Sequence, residues 1–303
     1  SIQDIRLAGH SPSLVLGFSK LEPYLRNQYF GAMVGRVANR IANGRFELGG
    51  IKFRTDRNEH GKTTLHGGAK GISNRVWRLV DHDKTSATFS CVDFEKKSGF
   101  PGDCEITCRY LVTTDNALEY EITAVSTRDT ICNIAHHSYF NLSGNDPIFD
   151  HELEVDAGYY LPVDDEQIPT GEKKSVIETD FDFRTRKQLA ATSSSHLDHN
   201  FCLSDAKRPL QKVGELHAHS TGIKMEFATT EPGLQIYTGS GLAITDPGHD
   251  GAKYSAHTGI AIEPQGWPNA CNEPGFPSTK LLCGETYRQK SQFKFSINKL
   301  KTT

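Results

Sequence analysis

Cys104-Glu-Ile-Thr-Cys-Arg-Tyr110 and Leu118-Glu-Tyr-Glu-Ile-Thr-Ala124 decide the fold. In both, apolar and polar residues alternate without a break. A period of two marks a strand with one face on a core and the other toward water. Thr114-Asp115-Asn116 between them is turn chemistry, so the two segments read as an antiparallel hairpin. Arg45-Phe-Glu-Leu48, the pair Gly49-Gly50 and Ile51-Lys-Phe-Arg54 make a second hairpin with a two-glycine turn. Further strands are expected over Val76–Val80, Ala87–Val92, Glu152–Val155, Lys224–Thr229, Leu234–Thr238, Gly259–Ile262 and Gln292–Ile297. Helical signals are short: a turn or two over Leu21–Arg26 and one over Arg186–Ala190. Many strands with Gly- and Pro-rich turns predict an all-β protein, a large antiparallel β-sandwich with a few short helices. No composition shift, repeat or low-complexity tract divides residues 1–303, so a single domain is expected.

Hydrophobic residues make up 36% of the chain and charged ones 23%, the balance of a soluble globular protein. No apolar run is long enough to cross a bilayer, and the N-terminus lacks a basic-then-apolar signal pattern. The formal net charge is −3, and the 34 Lys and Arg are scattered, which argues against a nucleic-acid partner. The seven cysteines are an odd number without metal-like spacing, so they read as free thiols in a reducing compartment, the cytoplasm. Cys104 and Cys108 should share a buried strand face. The sequence sets no oligomeric state.

Chemistry is concentrated in Asn133-Ile-Ala-His-His-Ser-Tyr-Phe-Asn-Leu142 and Ile260-Ala-Ile-Glu-Pro-Gln-Gly-Trp-Pro-Asn-Ala270. A histidine pair, His136 and His137, and one carboxylate, Glu263, each sit at the end of a probable strand. An imidazole and a carboxylate are the minimal equipment for adding one proton and removing another. Gly35-Arg-Val-Ala-Asn-Arg-Ile-Ala-Asn-Gly44 offers Asn39 and Arg40 as donors suited to sugar hydroxyls or carboxylates, or else a solvated turn. His66 lies beside Gly67 and Gly68, which let backbone approach a ligand; a hydrogen-bonded surface histidine is the plainer reading. Asp198 opens a strand in Leu197-Asp-His-Asn-Phe201, as an acceptor or a turn former. Gln235 lies on a strand in Glu231-Pro-Gly-Leu-Gln-Ile-Tyr-Thr-Gly239, as a ligand or a solvent-facing amide. No histidine pair has zinc-enzyme spacing and no Gly-x-Ser-x-Gly elbow occurs. With Tyr139, Phe140, Trp267 and Phe276 near the polar clusters, the expected pocket fits a neutral polyol: C–H faces on rings, hydroxyls on Asn, Arg and Asp.

Seven segments in register make the chain resemble the aldose 1-epimerases, the galactose mutarotase family. They are Leu16-Gly-Phe-Ser-Lys-Leu-Glu-Pro-Tyr24, Gly35 to Gly44, Leu65-His-Gly-Gly68, His137-Ser-Tyr-Phe-Asn-Leu142, Asp198-His-Asn-Phe201, Gln235-Ile-Tyr-Thr-Gly239 and Glu263-Pro-Gln265. The resemblance implies the galactose mutarotase-like supersandwich and interconversion of the α and β anomers of a free aldohexose such as galactose or glucose. It implies Glu263 as general base at O1 and His137 as general acid at the ring oxygen. Asn39, Arg40, His66, Asp198 and Gln235 would hold the sugar, with His66 and Arg40 near the reacting end. No cofactor and no metal is expected. Relatives usually carry one or two further strands before the Leu-Gly-Phe segment, so an N-terminal piece is expected to be missing. His136 stands where another polar residue is common, and its ring is expected to face away from that of His137.

Two other functions fit parts of this pattern. A relative acting on a hexose 6-phosphate would need convergent arginines, which Arg36, Arg40, Arg45 and Arg75 do not obviously supply. A non-catalytic sugar-binding module would keep the binding residues and lose the acid or base, and both His137 and Glu263 are present.

Overall fold

In the computed structural model, which describes residues 1–144, 147–189 and 196–297, alternation does what it predicts. Cys104–Val112 pairs antiparallel with Ala117–Ser126, from Cys104 opposite Ser126 to Val112 opposite Leu118. Cys104, Ile106 and Cys108 point into the core while Glu105 and Arg109 stay exposed. This hairpin lies within a nine-stranded antiparallel sheet. Its order is Lys187–Gln188, His151–Val155, Gln211–Ala218, Ile223–Thr229, Tyr287–Ile297, Ala117–Ser126, Cys104–Val112, Ser86–Asp93, Arg78–His82. A six-stranded sheet runs Tyr139–Phe140, Ile260–Gln265, Gly233–Tyr237, Asp198–Cys202, Tyr159–Tyr160, Lys174–Ser175.

The sheets share one hydrophobic cluster. Ile106, Ile122, Leu153, Leu216, Phe227 and Phe293 of the large sheet meet Phe201, Leu234, Ile236, Ile260 and Ile262 of the small one. Each such side chain contributes about 1.5–3 kcal/mol of transfer free energy when fully buried. Period two then fixes what the small sheet presents on its other face. Asn200 lies opposite Gln235, and Gln235 opposite Glu263, so three polar side chains form a row across three strands. The fold positions the candidate site through this row.

Some elements depart from expectation. Arg186–Ala190 forms no helix where it is described: Lys187–Gln188 is a short strand on Glu152–Leu153, and Ala190 lies outside the described residues. The strand expected over Val76–Val80 is Arg78–His82, because Trp77 turns its indole Nε1 back to the Ile72 carbonyl (3.1 Å), leaving Val76 fully outside. Gly259–Ile262 runs on through Pro264 to Gln265. Proline is tolerated there because Tyr139–Phe140 pairs only with Ile260 and Ala261, so this strand is an edge at Pro264. Gln211–Ala218 was not expected, since a register shift between Lys212 and Gly214 breaks its alternation. The Arg45–Leu48/Ile51–Arg54 hairpin and the Leu21–Arg26 helix fall where the sequence puts them. No helix among the described residues is long and apolar enough to cross a membrane.

His136 and His137 face opposite ways, as expected, on a three-residue strand paired to Ala32–Val34. The His136 ring is fully buried against Tyr110 and Tyr120, with centroids 6.1 and 5.4 Å away. Neither of its nitrogens has a hydrogen-bond partner among the described residues. Burial, reinforced by His137, pushes its pKa down to about 3. The unfolded chain therefore takes up a proton below pH 6.5 that the folded chain refuses until pH 3. Its contribution to stability is complete above pH 6.5 and is lost as pH falls through that window. Between pH 7 and 5 this amounts to about 2 kcal/mol. In urea titrations at the two pH values, His136→Phe should lose less stability than the parent by about that amount; equal losses would show that His136 is not held neutral.

Candidate active site

Six segments converge on the outer face of the small sheet. Glu263 and Gln235 come from its paired strands, Asp198 and Asn200 from the next. His137 comes from the strand leading into Tyr139–Phe140, and His66 and Arg40 from a small two-stranded pairing of Arg40–Ile41 with Thr64–Leu65. The His137 Nε2 lies 3.7 Å from Glu263 Oε1. His66 joins them, the three ligand atoms lying within 4.8 Å of one another. All three residues are buried.

Surrounding bonds fix the orientations. The Asn39 backbone N–H donates to His66 Nδ1 (3.2 Å), so the imidazole proton is on Nε2, leaving His66 a donor toward the site. Arg40 is clamped by Glu59, whose two carboxylate oxygens each accept at 2.7 Å from its Nε and Nη2. Its Nη1 is left 3.7 Å from Asp198 Oδ2. Thr63 donates to Glu59 at 2.6 Å, and Gln235 Nε2 to Asp198 Oδ1 at 2.6 Å. Asn39 caps its neighbour, Oδ1 accepting from the Arg40 N–H at 2.8 Å. Tyr29 stacks beside His137 at 5.9 Å and packs on His66 at 4.7 Å, and Tyr139 lies 5.0 Å from His137.

Burial sets the protonation states. It raises Glu263 well above the usual carboxylate range; the Asp198 charge raises it further and Arg40 opposes both. Burial pushes His137 down to about 4, and it lowers His66 well below the ordinary histidine value, with His137 and Arg40 adding to it. The sequence reading has Glu263 ionised and His137 protonated for the forward step. Before a sugar binds, burial instead places the proton they share on Glu263.

All seven residues singled out in the sequence meet here: His137, Glu263, Asn39, Arg40, His66, Asp198 and Gln235. Other expectations do not hold. Phe140 points into the core against Phe293 (4.8 Å), and Trp267 packs edge-on to Phe276 (5.1 Å) beside Leu161 and Cys202. Of the expected aromatics, Tyr139 remains beside the acid–base pair. Gly67 serves packing within the protein: at φ +83° a Cβ there would lie 1.9 Å from the Gly35 carbonyl oxygen. Arg36 and Arg75 do not converge on the site, since both bind Asp93.

Asn200, Tyr29 and Glu59 escaped the sequence reading. Asn200 had a signal, standing two residues from Asp198 on a strand and hence on the same face. The other two reach the site through loops. Several buried atoms along the row have no hydrogen-bond partner among the described residues: Glu263 Oε2, His137 Nδ1, Gln235 Oε1 and both amide atoms of Asn200. Native proteins leave few such atoms unmatched, so a cluster of them marks a surface made for a polar ligand.

Known proteins resemble the chain over most of its length. The family model described as aldose 1-epimerase matches residues 1–294. The galactose mutarotase of Bos taurus is 41% identical over 299 residues, covering 95% of this chain and 85% of its own length. The Escherichia coli aldose 1-epimerase is 33% identical, with 93% and 84% covered. Among solved structures, an aldose epimerase homologue from C. elegans superposes with a TM-score of 0.90 at 32% identity, over 98% of this chain and 91% of that one.

Proposed function

The chain belongs to the aldose 1-epimerase family, enzymes that interconvert the α and β anomers of a sugar, and from that premise we propose that Glu263 and His137 open and close the ring of a free aldohexose. The Glu263 carboxylate takes the proton from the O1 hydroxyl. The O–H electron pair becomes the C1=O1 double bond, the C1–O5 bond breaks, and O5 takes the proton of His137 Nε2. Rotation about C1–C2 turns the other aldehyde face toward O5, and the reverse steps close the opposite anomer. The pair begins and ends with one proton between them, so no cofactor is required.

The observation that carries this reading is the 3.7 Å approach of His137 Nε2 to Glu263 Oε1, in a buried site where Glu263 Oε2, Gln235 Oε1 and both amide atoms of Asn200 have no hydrogen-bond partner among the described residues. One group adds a proton while the other removes one, so both must reach neighbouring oxygens of the same ring. Burial favours the neutral pair, neutral His137 with protonated Glu263. That is the form that closes the open-chain aldehyde. A bound pyranose must draw the proton across to His137, and Arg40, which favours ionised Glu263, assists this step. Gln235, Asn200, Asp198 and Asn39 are the hydroxyl partners, and His66 and Arg40 donate at the reacting end.

Galactose and glucose are the substrates of this proposal. Freshly dissolved α-D-galactose or α-D-glucose, followed by polarimetry, should reach equilibrium rotation faster with the enzyme than without. No acceleration with either sugar would overturn the free-sugar assignment. The seven free thiols support a reducing compartment, the cytoplasm.

A further inference from the structure

On the outer face of the large sheet, Glu152, His217 and His219 bring three ligand atoms within 4.8 Å of one another. Their neighbours Leu153 and Leu216 are fully buried in the core, so alternation sends Glu152 and His217 outward. The two are register partners on adjacent strands. His219 stands two residues beyond His217, just past the strand end, and the two rings lie 5.1 Å apart at 78°. The carboxylate already sits between them: Glu152 Oε1 is 3.1 Å from His219 Nε2, and Oε2 is 3.7 Å from His217 Nδ1. That Nδ1 is buried and makes no hydrogen bond among the described residues.

We propose that Glu152, His217 and His219 form a binding site for a borderline divalent transition cation such as Zn²⁺. Two imidazoles and a carboxylate select zinc, nickel or copper over magnesium or calcium, which prefer all-oxygen shells. Tetrahedral zinc, with bonds of about 2.0–2.1 Å, draws its ligand atoms to about 3.3 Å from one another. The exposed His219 has the freedom to close that distance, and water completes the shell. Arg186, whose Nε is 3.9 Å from Glu152 Oε2, is the competing charge, and its salt bridge to Glu215 gives it an alternative partner. The bound ion would clip His151–Val155 to Gln211–Ala218 on the face of the sandwich opposite the acid–base pair.

The test is calorimetric titration of tag-free protein with ZnCl2, paired with thermal melting. The parent should bind zinc in the micromolar range and melt at higher temperature with it. His219→Gln and Glu152→Gln should each weaken binding about tenfold or more and abolish the rise in Tm, with the mutarotation rate of His219→Gln unchanged. Glu263→Gln should keep the zinc response, which separates this cluster from His66, His137 and Glu263. Zinc binding unchanged in His219→Gln, or no binding by the parent in that range, would overturn the proposal.

Discussion

Glu263→Gln is expected to lower kcat for mutarotation by about 10²–10⁴-fold, with KM little changed. The amide has the volume and shape of the acid, so the row Asn200–Gln235–Glu263 and the core behind it stay in place. What disappears is the capacity to accept the O1 proton. The parent carboxyl is buried, with Oε2 lacking a hydrogen-bond partner among the described residues, and its pKa is raised mainly by that burial. Replacing it by a neutral amide should therefore leave the melting temperature at neutral pH unchanged or higher, because the parent carboxyl must take up a proton to be buried and the amide need not. The combination of intact fold, intact sugar binding and lost turnover separates a proton acceptor from a packing residue. A variant that turns over at the parental rate would remove Glu263 from the mechanism. One that unfolds would instead make it a structural residue.

The sequence is legible where structure is local. Alternation in Cys104–Val112 and Ala117–Ser126 needs only one face on a core, and two glycines between Leu48 and Ile51 close a hairpin. It is less legible where partners decide. Lys187–Gln188 is a strand because Glu152–Leu153 lies beside it, and Ile260–Gln265 continues past Ile262 because Gly233–Tyr237 still pairs with it through Pro264. Gln211–Ala218 conceals its period behind a bulge.

The candidate site divides the same way. Residue types and their order point to His137 and Glu263, and resemblance adds their roles, but neither gives the 3.7 Å between them. Two arginines only four residues apart show the limit of composition. Arg36 is fully buried on Asp93, while Arg40 is aimed into the site by Glu59. Both share one motif, and only tertiary partners distinguish a core ion pair from a ligand-facing donor. Tyr29 and Glu59 enter from loops, where no periodicity announces a shared face.

The second large effect is on the pH profile. The active form of the pair carries one proton, on Glu263 or His137. Below a pH of about 4, His137 takes a second proton while Glu263 keeps its own, and nothing can accept from O1. Above the raised Glu263 pKa the pair loses its last proton, and nothing can donate to O5. The plot of kcat/KM against pH should be a broad plateau, with its acid limb near 4 and its alkaline limb well above the ordinary carboxylate range. Had the groups kept ordinary values, near 4.3 for Glu and 6.5 for His, rate would already fall about tenfold per pH unit above 6.5. The group that titrates on the alkaline limb therefore decides whether burial sets these states: the Glu263 carboxyl if it does, an ordinary imidazole if it does not. His137→Asn should cost about 10²–10⁴-fold and erase both the limb near 4 and the alkaline fall, the residual rate rising as Glu263 ionises, because Glu263 alone then titrates and only its carboxylate accepts from O1. If the limb near 4 survives in His137→Asn, another group supplies the proton to the ring oxygen, and His66, with its Nε2–H toward the same site, becomes the acid to test next.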